Sequence, residues 1–441
     1  MAVDLGKCEA DVAVVGGGSA GFAAAWAAAR LGSRVVLVEK APVLGGTSTY
    51  AGVSNWEPGV CSSELPELLY RRMSRTPGAC GLYVFDRHCA WRKPWEPYVF
   101  PGALLKVDPT LPYSKSLRRH GPGMADEAWF RANCHGVIFE PEALASAMAE
   151  MLDETGRCQT FLGTAMTGVR HRDGHVEAVE LSNGAVVKAR CFIDATDGAL
   201  CSRIGCGMMF GRDARSAFNE PGAPEKPLPV LNGATLLFRV AKTGTERVES
   251  LPADVPSECW WGAFPLAFMM ELPCGDIAVN MLPTMAGAEA LRLGEEAAYA
   301  ECARRVRAEW HWLQENYAEF RRYRLKSVAK TLALRETRRV RGKYVLNQND
   351  LIAGLSGQCH GDIVALADHP MDNHGGGGPC GELREPYGIP FRCLEPLGAD
   401  NVLVAGRAAS FSAIAASSCR LSRTMMALGE AAGRAAHTLN A

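Results

Sequence analysis

Three groups of residues in this chain have the types and spacing to do chemistry. The first is Gly16-Gly17-Gly18-Ser19-Ala20-Gly21, followed at the end of the next apolar run by Glu39 and Lys40. A glycine turn between a strand and a helix lets a pyrophosphate approach the backbone amides at the helix N-terminus. An acid closing the following strand accepts hydrogen bonds from ribose hydroxyls and repels a 2'-phosphate. Gly16 would make the turn, Gly18 leave room for phosphates, and Gly21 let the helix lie close to the strand. The second group is His369-Pro370-Met371-Asp372-Asn373-His374, leading into Gly375 to Gly378. An imidazole there can exchange a proton near neutral pH, and a loop histidine bonded only to backbone is an equal alternative. His374 and His369 are the first candidates, with His360 and Tyr344 as further suppliers. Metal ligation by His369, Asp372 and His374 fits no common ligand spacing, so no metal is expected. The third group is Arg335-Glu336-Thr337-Arg338-Arg339-Val340-Arg341, together with Arg407. These guanidiniums can bind an anionic substrate, or the run is a charged hinge paired internally through Glu336.

Ordered elements must position these groups. Residues 11–15 read as a strand, 22–31 as an alanine-rich helix capped by Gly32, and 35–38 as a second strand, so the first glycine loop sits in a complete strand–helix–strand setting. A second pair, Gly45-Gly46, precedes Thr47 and Ser48 and would carry the chain back over a pyrophosphate, with hydroxyls as donors. Residues 161–197 read as a meander, with turns at Asp173-Gly174 and Asn183-Gly184, that ends in Asp194-Ala195-Thr196-Asp197. Near the C-terminus a strand from Asp400 runs into Gly406-Arg407. Ser417-Ser418-Cys419-Arg420 then leads into a small-residue helix from Leu421. The free amides and positive dipole end of its first turn are suited to negative charge.

The expected organisation is a discontinuous nucleotide-binding domain made of 1–60, 136–206 and 386–441, with two insertions. Insertion 61–135 is rich in proline and in aromatics such as Tyr70, Trp91, Trp95, Tyr98 and Trp129, and it is more basic than acidic. It reads as an irregular segment whose aromatics form a small core, in preference to a pocket lining. Insertion 207–385 reads as an α+β cap or substrate domain, with strands near 234–240 and 277–282. It also holds an amphipathic helix over 287–320 in which Tyr299, Ala303, Val306, Trp310 and Leu313 recur on one stripe. A helix over 139–155 carries Leu144, Met148 and Leu152.

The bulk properties exclude several classes. The chain has 441 residues, 48% hydrophobic and 22% charged, with a formal net charge of -1. These values fit a soluble globular protein and give no sign of a nucleic-acid or membrane partner. The first strand starts too early to leave room for a signal peptide, and a cytoplasmic location follows as the expectation. Sixteen cysteines include no Cys-x-x-Cys, so no iron–sulfur or zinc-ribbon site is expected. Cys201 and Cys206 read as packing neighbours, with a redox role as the lesser alternative.

Beside these readings, Gly45-Gly46-Thr47-Ser48-Thr49-Tyr50-Ala51-Gly52-Val53-Ser54-Asn55 resembles the FAD-dependent oxidoreductases of the glutathione reductase and fumarate reductase class. The meander, the Asp194-Ala195-Thr196 strand end and the Gly406-Arg407 turn are similar to the same class, and nearly the whole chain resembles its xanthan-lyase-like group. The resemblance implies an α/β fold: a Rossmann-like FAD-binding domain, a parallel sheet with a β-meander, plus an inserted α+β cap. It also implies cofactor contacts at Gly45, Gly46, Thr47, Ser48, Ala165, Ala195, Thr196, Gly406, Arg407, Arg420 and Leu421. Asp372-Asn373-His374 is similar to the family's Asp-x-His signature, which favours His374 and His369 among the catalytic candidates, with Arg335 and Arg407 as further suppliers of the proton that accompanies a hydride. Asp197 stands where relatives more often carry glycine, so one backbone contact there departs from the pattern. No histidine follows the second glycine pair, so the FAD is expected to be non-covalent. No second glycine fingerprint marks a nicotinamide domain, and the electron donor or acceptor stays open. The implied activity is hydride transfer at flavin N5 with a small polar substrate, namely a hydroxylated or unsaturated acid or a sugar-like compound. A redox-neutral flavin hydratase or isomerase, and a flavin-binding RNA- or protein-interaction module, remain as alternatives.

Overall fold

The computed structural model describes residues 8–87, 102–117, 126–374 and 378–440. Its first sheet gathers three distant stretches of the chain. Parallel strands Cys158–Phe161, Val35–Val38, Cys8–Val15, Val186–Asp194 and Val402–Val404 lie side by side in that order. Val12, Val14, Val35 to Val38 and Val402 to Val404 are buried, as expected of strands covered on both faces. The lower half of Val186–Asp194 pairs with the antiparallel strand His175–Leu181, which in turn pairs with Met166–Arg172. The meander therefore branches off the same long strand, through the turns at Asp173-Gly174 and Asn183-Gly184.

Helix Ser19–Arg30 lies on this sheet, and every residue from Ser19 to Ala29 is buried. The C-terminal helix Ser422–Asn440 crosses it at backbone contact. A Cβ at Gly429 would lie 2.0 Å from the Ala20 carbonyl oxygen, and one at Gly433 would lie 2.2 Å from that of Ala24. Two glycines one helical turn apart thus bring the last helix onto the first.

The second sheet changes the relation between the two insertions. Its strands run in the order Tyr323–Val328, Phe238–Lys242, Ile277–Met281, Ala267–Glu271, Gly102–Asp108, Cys80–Arg87, Val137–Phe139 and Asn55–Trp56. The junction is a parallel pairing of Ala267–Met270 with Gly102–Leu105. Stretches read separately as 61–135 and 207–385 thus share one sheet, because strand pairing across a long chain separation leaves no local mark. In the 61–135 insertion, Tyr83, Phe85 and Phe130 are buried and Tyr70 packs on Tyr113 at 5.1 Å. Trp91, Trp95 and Tyr98 lie outside the described residues.

Two further differences have local causes. The helix expected over 287–320 is divided into Gly287–Leu293 and Glu295–Asn316 by Gly294 at φ 82°, with the predicted stripe of Val306, Trp310 and Leu313 buried on the second piece. The stretch 340–385, read as the end of the cap, packs its Val340, Leu346, Leu351, Ala365, Ala367 and Leu383 into the core of the first sheet. Apolar residues in turn-rich sequence show that they are buried, not in which core.

Candidate functional site

A cavity of about 690 Å³ runs along the C-terminal ends of the parallel strands, within the roughly 300–1,000 Å³ typical of small-molecule and cofactor sites. The first sheet's three pieces all reach it, and the cap closes it with Ala290, Leu291, Gly294, Glu295 and Leu334. At one end the strand Cys8–Val15 stops at Gly16, whose N–H donates to the Val38 carbonyl (2.8 Å). Gly16 sits at φ 101°, and a Cβ there would lie 2.5 Å from the Ala195 carbonyl oxygen. At Gly21 a Cβ would lie 1.7 Å from the Gly16 carbonyl oxygen, whereas one at Gly18 would meet nothing within 4 Å. The three glycines therefore divide the work as turn, open space and close helix approach. The first-turn amides of Ser19–Arg30 have no intrahelical partner and carry the positive end of the helix dipole.

Glu39 is buried at the end of Val35–Val38. Its carboxylate accepts from the Gly17 N–H (2.6 Å) and the Ala41 N–H (2.7 Å), which holds the acid against the glycine loop. The second pair packs directly on the first, because the Gly45 N–H donates to the Gly17 carbonyl (2.9 Å) and Gly46 faces the Gly18 Cα. Asp194, completely buried, accepts from the amides of Thr196, Leu200 and Cys201 and from the Thr196 hydroxyl (2.5 Å). It thereby fixes the turn that presents Ala195 and Thr196.

Of the sequence-predicted cofactor residues, Gly16, Gly18, Ser19, Ala20, Glu39, Lys40, Gly46, Thr47, Ala165, Ala195, Thr196, Gly406, Arg407 and Arg420 line the cavity. Gly21, Gly45, Ser48 and Leu421 do not. Gly21 and Gly45 support the loops, Ser48 is buried with its Oγ 3.0 Å from that of Ser422, and Ser422 takes the wall position expected of Leu421. Lys40 reaches across the mouth to Glu295 of the cap (2.9 Å), where both side chains are exposed.

The other end of the cavity, at Arg420, abuts a cluster of ionisable side chains. Arg420 donates to Asp372 Oδ2 (2.7 Å), and His374 Nε2 lies 2.6 Å from the same oxygen. Burial opposes the Asp372 charge, but His374 and Arg420 outweigh it and hold the carboxyl well below the usual range. Burial also pushes the His374 imidazole below its ordinary value. Asp372 works against that shift, and the positive charges of Arg335 and Arg420 add to it. The His374 N–H donates to the Asn232 side chain (2.7 Å), and its carbonyl accepts from the Gly233 N–H (2.9 Å), so the loop is pinned to the cap.

His369 is buried, with Nδ1 2.9 Å from the Pro370 carbonyl and Nε2 3.1 Å from Glu57 Oε2, which leaves it no free ring nitrogen. Arg407 donates to the Leu334 carbonyl, and burial lowers its pKa. His360 and Tyr344 belong to a separate network on Asp350, each 2.9 Å from that carboxylate, and line no part of the cavity. Within the arginine run, Arg339 is buried against Glu336 and Asp213, while Arg335 donates to the Gly233 carbonyl (3.1 Å) and the Thr235 hydroxyl (2.6 Å).

Sequence reading missed Glu57, Asn232 and Asp194 as members of this assembly. Asp194 had a local signal, an acid at a strand end just before a helix start. Glu57 and Asn232 had none. Cys201 and Cys206 are indeed neighbours, buried with their thiols in contact, and all described cysteines are free.

The site suits an adenine dinucleotide on its own geometry: an open Gly18, free amides at a helix start, a buried acid against the turn, and a buried Arg420 Nε that has no partner among the described residues. The family model for FAD dependent oxidoreductase matches residues 11–440. A 3-oxosteroid 1-dehydrogenase of Mycobacterium tuberculosis (strain ATCC 25618 / H37Rv) is 44% identical over 77 residues, which are 17% of this chain and 13% of that protein. The match thus spans a small fraction of that relative's length. Among solved structures, a geranylgeranyl bacteriochlorophyll reductase-like protein from Thermoplasma acidophilum aligns with TM-score 0.47 and 14% identity, covering 99% of this chain and 79% of the other. Glycine oxidase from Geobacillus kaustophilus aligns with TM-score 0.43 and 12% identity, covering 97% and 93%.

Proposed function

The chain belongs to the FAD dependent oxidoreductase family, and from that premise we propose that it oxidises or reduces a small polar organic molecule between the cofactor cavity and the cap. The observation that carries this reading is the Asp372–His374 pair, 2.6 Å apart, beside Arg420, which itself lines the cavity. Bound FAD supplies two-electron chemistry, with hydride exchanged at N5 of its ring. Gly16, Gly18, Ser19, Glu39, Gly46, Thr47, Ala165, Thr196 and Gly406 would hold it, and its attachment is non-covalent, since Thr47 to Tyr50 offer no histidine.

The proton that accompanies the hydride needs a side chain of its own. Half-buried, with its imidazole held below its ordinary value, His374 directs the Nε2 proton at Asp372 and keeps Nδ1 as the basic nitrogen, so the pair can take a proton from a substrate hydroxyl as the carbon loses hydride. His369 positions the loop through Glu57. Arg420 holds Asp372 ionised.

The test is anaerobic mixing of the yellow holoenzyme with pools of hydroxy acids, enoates after prior reduction, and sugars. Bleaching or reoxidation of the visible flavin band within one turnover is the expected result. Product formation without any change in that band would replace this reading with redox-neutral use of the flavin. Acid precipitation should leave the colour in the supernatant.

A further inference from the structure

The helix Ala199–Arg203 ends in a left-handed glycine, Gly205 at φ 84°. The Gly205 N–H donates to the Ser202 carbonyl (3.4 Å), and the Cys206 N–H to the Cys201 carbonyl (3.0 Å). This pair of backward bonds is the Schellman pattern, which brings together the side chains of the third residue from the helix end and the second beyond the cap. Here both are free cysteines, Cys201 and Cys206, with their thiols in contact. The backbone bond between them keeps their α-carbons within the span, roughly 4.4–6.8 Å, that a disulfide bridges.

The two sulfurs are not equivalent. Cys201 is completely buried, whereas Cys206, 5% exposed, lies between the exposed Gly205 and Gly207. The Cys201 S–H donates to the Cys206 sulfur, which lowers the Cys206 thiol against burial and the Asp194 charge; the same bond, with burial and Asp194, raises Cys201. Burial pushes Cys80, Cys158, Cys191, Cys302 and Cys419 up, the state of inert packing thiols.

The pair also occupies the point where the cofactor sheet passes the chain to the cap. Past Cys206, the Gly207 carbonyl accepts from the Arg341 N–H (2.8 Å), and Met208–Met209 pairs with Arg339–Val340. Before it, the Cys201 N–H donates to Asp194 (3.0 Å), the carboxylate that fixes Thr196, and Ala199 and Arg203 line the dinucleotide cavity. We propose that Cys201 and Cys206 form a redox clasp, closed by hydrogen peroxide into a disulfide, that staples the entry of the cap to the wall of the dinucleotide cavity. The Cys206 thiolate attacks one peroxide oxygen: the S–O bond forms, the O–O bond breaks and hydroxide leaves. The Cys201 sulfur then attacks the Cys206 sulfenic acid, its proton passes to the departing hydroxyl, and water leaves as the S–S bond forms. Two thiols lose two electrons and two protons, and one peroxide becomes two waters.

The test treats the FAD-loaded protein with graded hydrogen peroxide, then unfolds it, alkylates the remaining thiols and maps tryptic peptides. Cleavage after Arg190, Arg203 and Arg212 places the two cysteines on separate peptides. Expected is a dithiothreitol-sensitive link between 191–203 and 204–212, with fragment spectra placing it on Cys201 and not Cys191. Alkylation of Cys206 should fall by about tenfold or more at a dose that leaves Cys191, Cys302 and Cys419 alkylated. In Cys201→Ala, dimedone should label Cys206 as the trapped sulfenic acid, while in Cys206→Ala it should leave Cys201 unlabelled. The oxidised wild type should release FAD more slowly than the reduced protein, by about twofold or more, and neither variant should show that response. The proposal falls if the link joins other cysteines, if Cys206 is oxidised to sulfinic acid without linking, if linking requires denaturant, or if oxidised and reduced protein release FAD alike. Should Cys206→Ala fail to fold, Cys201→Ala and the wild-type map still decide. A clasp that closes in a protein whose flavin no substrate bleaches would leave this inference standing and sink only the functional reading.

Discussion

The two ends of the cavity are made of opposite materials. At the dinucleotide end the work is done by backbone: glycines without side chains, amides at a helix start, and acids, Glu39 and Asp194, whose oxygens are spent on N–H groups. The cluster that abuts the other end, at Arg420, is made of side chains. Asp372 and His374 come from one loop and Arg335 and Arg420 from two other segments, and they are held by one another and by the cap. The contrast teaches that a cofactor common to many reactions is met by geometry that tolerates no substitution, while the chemistry particular to one reaction sits in exchangeable groups whose charges depend on burial.

Substitutions can break this contrast at either end. The largest effect is expected from Gly21→Val, which drives side-chain atoms into the Gly16 carbonyl 1.7 Å from the Cβ position and moves the turn itself. The purified variant should be colourless or insoluble, with FAD affinity down by about a hundredfold or more, corresponding to the few kcal/mol typical of overpacking and strained backbone. Absorbance and FAD retention on dialysis measure it. A stably yellow Gly21→Val would mean that backbone geometry is not what holds the cofactor.

Next in size is His374→Gln, which should retain FAD yet slow turnover about 10²- to 10⁴-fold, the usual worth of a positioned acid or base. The pH profile sharpens the point. His374 is depressed below its ordinary value, and its neutral form is the base, so substrate oxidation should fall as pH drops through that lowered pKa, on the acid side of 6.5. Asp372 raises this pKa, so Asp372→Asn should displace the acid limb further toward low pH as well as reduce the rate. A limb that stays in place in Asp372→Asn would detach the carboxylate from the imidazole.

Gly429→Val tests the scaffold beneath both ends, because the Cβ would lie 2.0 Å from the Ala20 carbonyl oxygen. A loss of about 1–3 kcal/mol is expected, read as a lower thermal midpoint, with FAD released earlier in the melt than from the wild type. The smallest effect belongs to Lys40→Ala. The Lys40–Glu295 pair is exposed, and its removal should cost under about 1 kcal/mol and leave FAD content unchanged. A marked loss of cofactor would show that Lys40 contributes charge to the dinucleotide after all.

The same contrast explains how much could be read in advance. The glycine loop, Glu39, the second glycine pair and the meander turns were legible because each is a local steric demand that glycine, or an acid after a strand, answers within a few residues. The Asp372–His374 segment was legible as a source of chemistry, but not which imidazole stays free, since Glu57 takes the His369 ring from more than three hundred positions away. The arginine run was ambiguous for the same reason. Arg335 and Arg339 differ in what the fold sets opposite them, not in anything beside them in the chain.

The sequence by itself determined the nucleotide fold and the glycine-rich backbone that borders the cavity, because φ, close approach and strand burial are decided by residues near one another. Only the tertiary structure decided that the insertions share a sheet, that residues 340–385 join the first core, and that Arg339 meets acids while Arg335 meets neutral acceptors. Strand pairing, core membership and the charge balance of a buried site all arise between segments that no local pattern connects.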